Sequence, residues 1–430
     1  MSVKVLMGED VLVYSPPVNE GTKKWGVYAI PRMWREKDES LVIRFNGEKD
    51  SGDVDNMKIV PNKYFKSEDD GLSWSEVDNG DEKYDISILN GIENPYTDIN
   101  GNMIAFREKP DRKEIKDIPY QKEFIYPTGE AIVRSYRYGD IPDECKGIEI
   151  IEYSKGCKEP MISDVHIDFP DREILVNAKG NSGNFVYVDC IEKVKQSIFK
   201  NPYLCSVISV DNGTMLAVSC GQNKDVSDRY SGVAYLMASE DGGHTWVKRG
   251  VIAESTELPH GYTGDGHEVS MSYTKDGVLI CAMRMDVSTK KEPYGAAVSI
   301  SKDKGYTWSE PLIVTDASVT PHIICLENGI VVLVYGRPGV HFKYSADNGE
   351  TWSDSISIIG KTLSEYRKEG RDDYEIKYRD TVSYSNTFVD YKGGNEFLIL
   401  YNNLKYDEGD GVHHKAAFVR KISIEKMEGN

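Results

Sequence analysis

Four near-copies of one octet punctuate the chain: SEDDGLSW at 67–74, SEDGGHTW at 239–246, SKDKGYTW at 301–308 and SADNGETW at 345–352. The shared pattern is Ser-x-Asp-x-Gly-x-Thr/Ser-Trp, and it holds four of the six tryptophans. Each residue type has work in a tight turn. The aspartate accepts backbone N–H groups across the loop. The glycine supplies positive φ. The tryptophan covers a large apolar area beside the turn. Each octet therefore reads as a hairpin turn with its own staple.

A looser repeat is more informative. A polar turn precedes an apolar strand at KDESLVIRF (37–45), INGNMIAFR (99–107), DNGTMLAVS (211–219), KDGVLICAM (275–283), ENGIVVLVY (327–335) and GGNEFLILY (393–401). These six copies are spaced by about 71 residues on average, and the 430-residue chain divided by six gives about 72. Each unit has room for one four-stranded antiparallel blade. Helical periodicity is scarce, with CIEKVKQSIF (190–199) the one short candidate. The pattern predicts an all-β chain, a six-bladed β-propeller of four-stranded antiparallel blades forming a single domain over 1–430. The run HKAAFVRKISI (414–424) is expected to pair with a strand around 3–14, closing the ring and protecting edges. The long gap between the second and third copies reads as an elaborated second blade around 107–200. A seventh blade is the alternative there.

Acidic residues outnumber basic ones 70 to 52, and the resulting net charge of −18 argues against nucleic acid or an anionic membrane as main partner. A local arginine cluster could still hold a small anion. No apolar run approaches the ~20 residues a membrane-spanning helix needs, so no membrane insertion is expected. Glu9 and Asp10 stand where a signal peptide would be apolar. The chain as written reads as cytoplasmic, or secreted if a leader has been removed. Seven cysteines include no CxxC pair. Cys205, Cys220, Cys281 and Cys325 lie in apolar stretches and read as buried free thiols, with no metal or cofactor expected.

With octets and period together, the chain resembles the sialidase (neuraminidase) superfamily, whose Asp-box, or bacterial neuraminidase repeat, has the octet pattern. The likeness spans nearly the whole chain. It implies that Asp69, Asp241, Asp303 and Asp347 are structural, lying at blade turns away from the active site. It also implies an arginine triad for a substrate carboxylate, an aspartate acid/base, and a tyrosine–glutamate pair as nucleophile and base. The chemistry is coherent. A neutral tyrosine is not repelled by an anionic substrate as a carboxylate nucleophile would be, and a planar guanidinium bonds both carboxylate oxygens.

Residue by residue, HEVSMSYTKDGVLICAMRMD (267–286) matches the family's central segment and nominates Glu268 as base and Arg284 as a carboxylate-binding arginine. VSYSNTFVDYKGGNEFLILY (382–401) nominates Tyr384 as nucleophile. VYGRPGVHFKYS (334–345) and KYRDTVSY (377–384) offer Arg337 and Arg379 to complete the anion clamp. The N-terminal match departs from the family. YAIPRMWR (28–35) has Ala29 where the family arginine belongs, and Arg32 follows the proline instead. The acidic stretch NGEKDSGDVDNM (46–57) supplies Asp53 as acid/base, with Asp50 and Asp55 close behind. His267, beside Glu268, is a candidate sugar ligand. His166 and His322 read as hydrogen-bonded loop residues.

Three functions are therefore expected to compete. The first is a sialidase-type glycosidase acting on a terminal acidic sugar. The second keeps the fold but takes a uronate or deoxysugar, by hydrolysis or elimination; Ala29 and the extra loop histidines favour it. The third is a non-catalytic glycan- or protein-binding propeller.

Overall fold

The computed structural model describes residues 2–15, 32–36, 38–45, 63–77, 96–97, 102–109, 118–125, 131–153, 160–180, 204–210, 213–222, 232–254, 268–284, 295–317, 319–371, 382–383, 388–409, 411 and 413–427. Among these residues the fold is all-β and propeller-like. The one α-helix is α1 (Leu363–Lys368), started by a capping box in which Thr362 and Glu365 exchange hydrogen bonds. No helix among the described residues is long and apolar enough to cross a membrane. The helix candidate at 190–199 lies outside the described residues.

The strands form successive antiparallel runs. The first sheet is β2 (Arg32–Arg35), β3 (Leu41–Phe45), β4 (Lys63–Ser67) and β5 (Ser75–Val77), neighbours in that order. The second run is β6 (Tyr96–Thr97), β7 (Met103–Glu108), β10 (Ile148–Tyr153) and β11 (Met161–Asp168). The third is β13 (Cys205–Val210), β14 (Thr214–Gln222), β15 (Gly232–Ser239) and β16 (Thr245–Glu254). A short parallel pairing of β11 with β16 fuses these two runs into one eight-stranded sheet. The fourth sheet is β17 (Val269–Tyr273), β18 (Leu279–Met283), β19 (Ala297–Ser301) and β20 (Leu312–Ile313). The fifth is β21 (Val319–Cys325), β22 (Val331–Gly336), β23 (Val340–Ser345) and β24 (Ile356–Ile359). The last joins the chain ends: β25 (Phe388–Asp390), β26 (Glu396–Asp407) and β27 (His413–Met427), with β1 (Ser2–Tyr14) on the outside of β27. Separately, β8 (Lys122–Ile125), β9 (Ala131–Arg137) and β12 (Glu173–Gly180) make a three-stranded sheet.

The six apolar repeats are β3, β7, β14, β18, β22 and β26, the second strand of each run. Every residue of β18 and β22 is buried. A strand with sheets stacked on both faces needs an unbroken apolar sequence rather than an alternating one. Those stacks are explicit. Leu398 and Leu400 of the last sheet meet Met33, Ile43 and Phe65 of the first. Ile399 and Phe418 meet Val332 and Phe342 of the fifth. Leu333 and Tyr335 meet Ile280 and Val298 of the fourth. Leu279 and Cys281 meet Leu216 and Leu236 of the third. Met215 and Trp246 meet Ile150 and Ile167 of the second.

The four octets share one geometry. The Ser Oγ–H donates to the Asp Oδ1 at 2.7–2.8 Å, and the Thr/Ser N–H two residues beyond the glycine donates to the same oxygen at 2.8–2.9 Å. The glycine N–H donates back to the Ser Oγ at 2.8–2.9 Å. Trp246, Trp308 and Trp352 close the turn through an indole bond to the octet glycine's carbonyl. These aspartates spend their oxygens on their own turns. Cys281 and Cys145 are buried free thiols, and Cys325 is half-buried.

Candidate functional site

Ladder register tells the two ends of each sheet apart. In the fourth sheet Tyr273, Leu279 and Ser301 lie together, so the octet shares an end with the β17–β18 turn; Val269, Met283 and Ala297 mark the other end. The fifth sheet repeats this, with Ser345 beside Val331, and Gly336 opposite Val340 at the far end. In the first sheet Ser67 faces Leu41, while Arg32 stands opposite Arg44 at the far end. Neighbouring octet ends are bridged: Lys302 pairs with Glu350 at 2.7 Å, and Asn348 donates to Asp276 at 2.8 Å. The octets of the fourth and fifth sheets thus share one face.

At the end away from the octets, Glu268 directly precedes β17 and Arg284 directly follows β18. The hairpin register makes them partners. Arg284 N–H donates to the Glu268 carbonyl at 3.1 Å, and the guanidinium pairs with the Glu268 carboxylate. Both side chains are 17% exposed. The residue expected to act as base and the one expected to bind carboxylate are therefore bonded to each other, a charge-assisted contact stronger than a neutral one.

Arg337 lies in the β22–β23 turn at the same end of the adjacent sheet. That turn is closely packed. A Cβ at Gly339 would come within 2.2 Å of the Ile359 carbonyl, and one at Gly360 within 2.5 Å of Val382 Cγ2. Val382 and Ser383 are themselves tied to β26: Leu404 N–H donates to Val382 O at 2.9 Å, and Ser383 Oγ–H to Asn402 at 2.6 Å. The Arg337 turn thus stacks on the segment that leads to position 384. Arg32 begins β2 at the corresponding end of the first sheet. Asp53, His267, Arg379 and Tyr384 lie outside the described residues, as do Asp50 and Asp55. His166 is exposed on β11, and His322 packs on Phe388 with ring centroids 5.6 Å apart.

Sequence reasoning passed over Arg44 and Arg107. In four of the six apolar repeats an arginine stands at or just past the end away from the opening turn: Arg44, Arg107, Arg284 and Arg337. Alignment of the copies by their last apolar residue would have revealed it. Arg107 pairs with Glu149 at 2.8 Å. Burial pushes the Arg44 pKa down, while Tyr64 acts the other way. Among the described residues, no three histidine, cysteine, aspartate or glutamate side chains converge as a metal site.

Residues 191–393 match the BNR repeat-like domain family. No curated protein matches the chain. Among solved structures, a protein of unknown function from Dyadobacter fermentans DSM 18053 superposes with a TM-score of 0.55 at 16% identity, covering 98% of this chain and 99% of that one. The Hadza microbial sialidase Hz136 gives 0.49 at 14% identity, over 93% of this chain and 65% of its own. A point mutant of the NanB sialidase from Streptococcus pneumoniae gives 0.45 at 13% identity, over 96% and 70%. The first of these likenesses is one of fold.

Proposed function

We propose that the chain is a six-bladed propeller and a sialidase-type glycoside hydrolase that cleaves a terminal acidic sugar. Five sheet-to-sheet cores support the ring. So do two further buried faces, Val42 with Tyr64 on the first sheet and Ala105 with Ile151 on the second, which would form the sixth interface. On this reading the three-stranded sheet of β8, β9 and β12 elaborates the second blade.

The observation that carries the activity is the placement of Arg284 and Arg337, with Glu268, at the ends of the fourth and fifth sheets away from their octets. An overall acidic chain that sets guanidinium groups at the same end of neighbouring sheets is suited to a small anion. Arg32, Arg284, Arg337 and Arg379 would bind the substrate carboxylate, with His267 on the sugar. Glu268, held by Arg284, would take the proton of Tyr384 as it attacks the anomeric carbon, and Asp53 would protonate the leaving group. Ala29 favours a second reading, in which the same pocket takes a uronate or deoxysugar.

The test is a panel of aryl glycosides of sialic acid, uronic acids and deoxysugars, with an assay for unsaturated uronate. Tyr384→Phe and Glu268→Gln should each lower kcat by about two to four orders of magnitude, with ligand affinity kept within a few fold. Unchanged binding of acidic glycans without any turnover would select the non-catalytic propeller instead.

A further inference from the structure

His341 is completely buried in β23, two residues after the Gly339 of the Arg337 turn. Its Nε2 lies 3.0 Å from the Pro338 carbonyl. A carbonyl only accepts, so Nε2 carries the proton, and in the neutral ring Nδ1 is a bare lone pair. Nδ1 is buried without a hydrogen-bond partner, and so is Asp316 Oδ1. Asp316 lies on the connection between β20 and β21, where its other oxygen accepts Ser364 N–H of α1 at 2.7 Å. The groups around the imidazole come from four elements. They are Asp316, Glu365 of α1, the Lys361 backbone, and Tyr335 of β22, whose ring centroid is 5.7 Å away. Tyr335 is occupied by Ser355 at 2.6 Å. Burial holds the imidazole below its ordinary pKa, against the pull of Pro338 and the two carboxylates.

A polar ring sealed in an apolar strand costs stability unless its bond matters. Here the bond reaches across the turn to the residue after Arg337. We propose that His341 is a positioning residue for Arg337: its buried imidazole ties down the Pro338 carbonyl and so fixes the backbone that carries the arginine. No feature of VHFKYS distinguishes this histidine from a core residue. The catalytic consequence rests on Arg337 being a carboxylate-binding residue as proposed above; the structural tie does not.

Two measurements on the full chain separate those questions. The first is amide hydrogen exchange of Gly336, Arg337 and Gly339. His341→Phe fills the volume without a donor and should speed exchange about fivefold to tenfold, the size of one lost net hydrogen bond. His341→Gln, which keeps an amide donor near the Nε2 position, should stay within about twofold of the parent. If His341→Phe does not fold, His341→Asn, whose amide sits at the Nδ1 position, serves as the loosening variant. The second is a double-mutant cycle on KM for an acidic aryl glycoside. His341→Phe should raise KM about tenfold with kcat nearly unchanged, and should have no further effect in an Arg337→Ala background. Exchange unchanged in His341→Phe, or equally fast in His341→Gln, overturns the proposal; so do additive KM effects. A parent protein inactive on every acidic sugar refutes the functional reading and leaves the tie to be decided by exchange.

Discussion

Two successive positions of each octet take positive φ, and they differ in what surrounds them. Gly305 has φ +92, and a Cβ there would sit 2.0 Å from Leu236 Cδ2 on the neighbouring sheet. Gly242, one residue before the octet glycine Gly243 of the second copy, has φ +75 with nothing within 4 Å. Gly305→Ala therefore meets both left-handed strain and overpacking, and is expected to cost about 2–4 kcal/mol. Gly242→Ala meets strain alone and should cost about 1 kcal/mol. Urea denaturation of the pair decides this; equal losses would mean that octet packing on the next sheet is unimportant. The octet carboxylates make a second residue-scale prediction. Bonds from Ser73 hold Asp69, and bonds from Thr307 hold Asp303, at a pKa of about 2, below their ordinary value of 3.8. With the folded pKa below the unfolded one, the unfolded chain binds more protons in that window. Stability from these turns is complete above pH 3.8 and is lost as pH falls toward about 2. Thermal melts across that range should show a shallower acid limb for Asp303→Asn than for the parent.

At the scale of elements, the strands that were legible are those with a burial reason to be continuous. LVIRF, LICAM and VVLVYG announce themselves because neighbours cover both faces. Outer strands such as β5 and β20 are short and exposed, so nothing in their sequence marks them. The Glu268–Arg284 contact was half legible: a symmetric hairpin about a Lys-Asp-Gly turn must bring its two flanking residues together, yet the two were read as separate tools. The parallel β11–β16 pairing spans only three residue pairs, too short a run for the sequence pattern to mark. His341 was missed because a buried histidine in an apolar strand looks like its neighbours. One outer strand was foreseen, β1. Its Val3 and Val5 pack against the core beneath, and Asp10 accepts both Tyr401 O–H and Arg420 Nε–H. Deleting residues 2–14 would bare the edge of β27, including the wholly buried Ile422 and Ile424. Size-exclusion chromatography should then show aggregate in place of the parent species. A truncated chain that elutes and melts as the parent does would make β1 dispensable.

Across the whole molecule, the first and last sheets are clasped by a contact spanning 355 residues of sequence. Arg35 of β2 donates to Asp390 of β25 at 2.6 and 2.9 Å and to Asp70 of the first octet at 2.7 Å. Such a distance in sequence leaves no local pattern to read. Burial raises the Asp390 pKa, with Arg35 opposing it. Arg35→Ala leaves that carboxylate without its main cation and is expected to cost about 3–5 kcal/mol. A carboxyl whose folded pKa lies above the unfolded one is favoured protonated, so the deficit should grow as pH rises. Replacing both Arg35 and Asp390 by leucine should recover most of the loss in urea titrations; a double variant as weak as Arg35→Ala would assign the cost to lost packing instead.

Ser2 and Met427 are partners across a ladder. A few linker residues could therefore weld one to the other without bending a strand, and the backbone could be cut afresh at an exposed turn within a sheet, such as Lys275–Asp276 between β17 and β18. A rearranged gene of this kind would move the seam to another position while leaving each side chain at its address, so the architecture has no obligatory beginning.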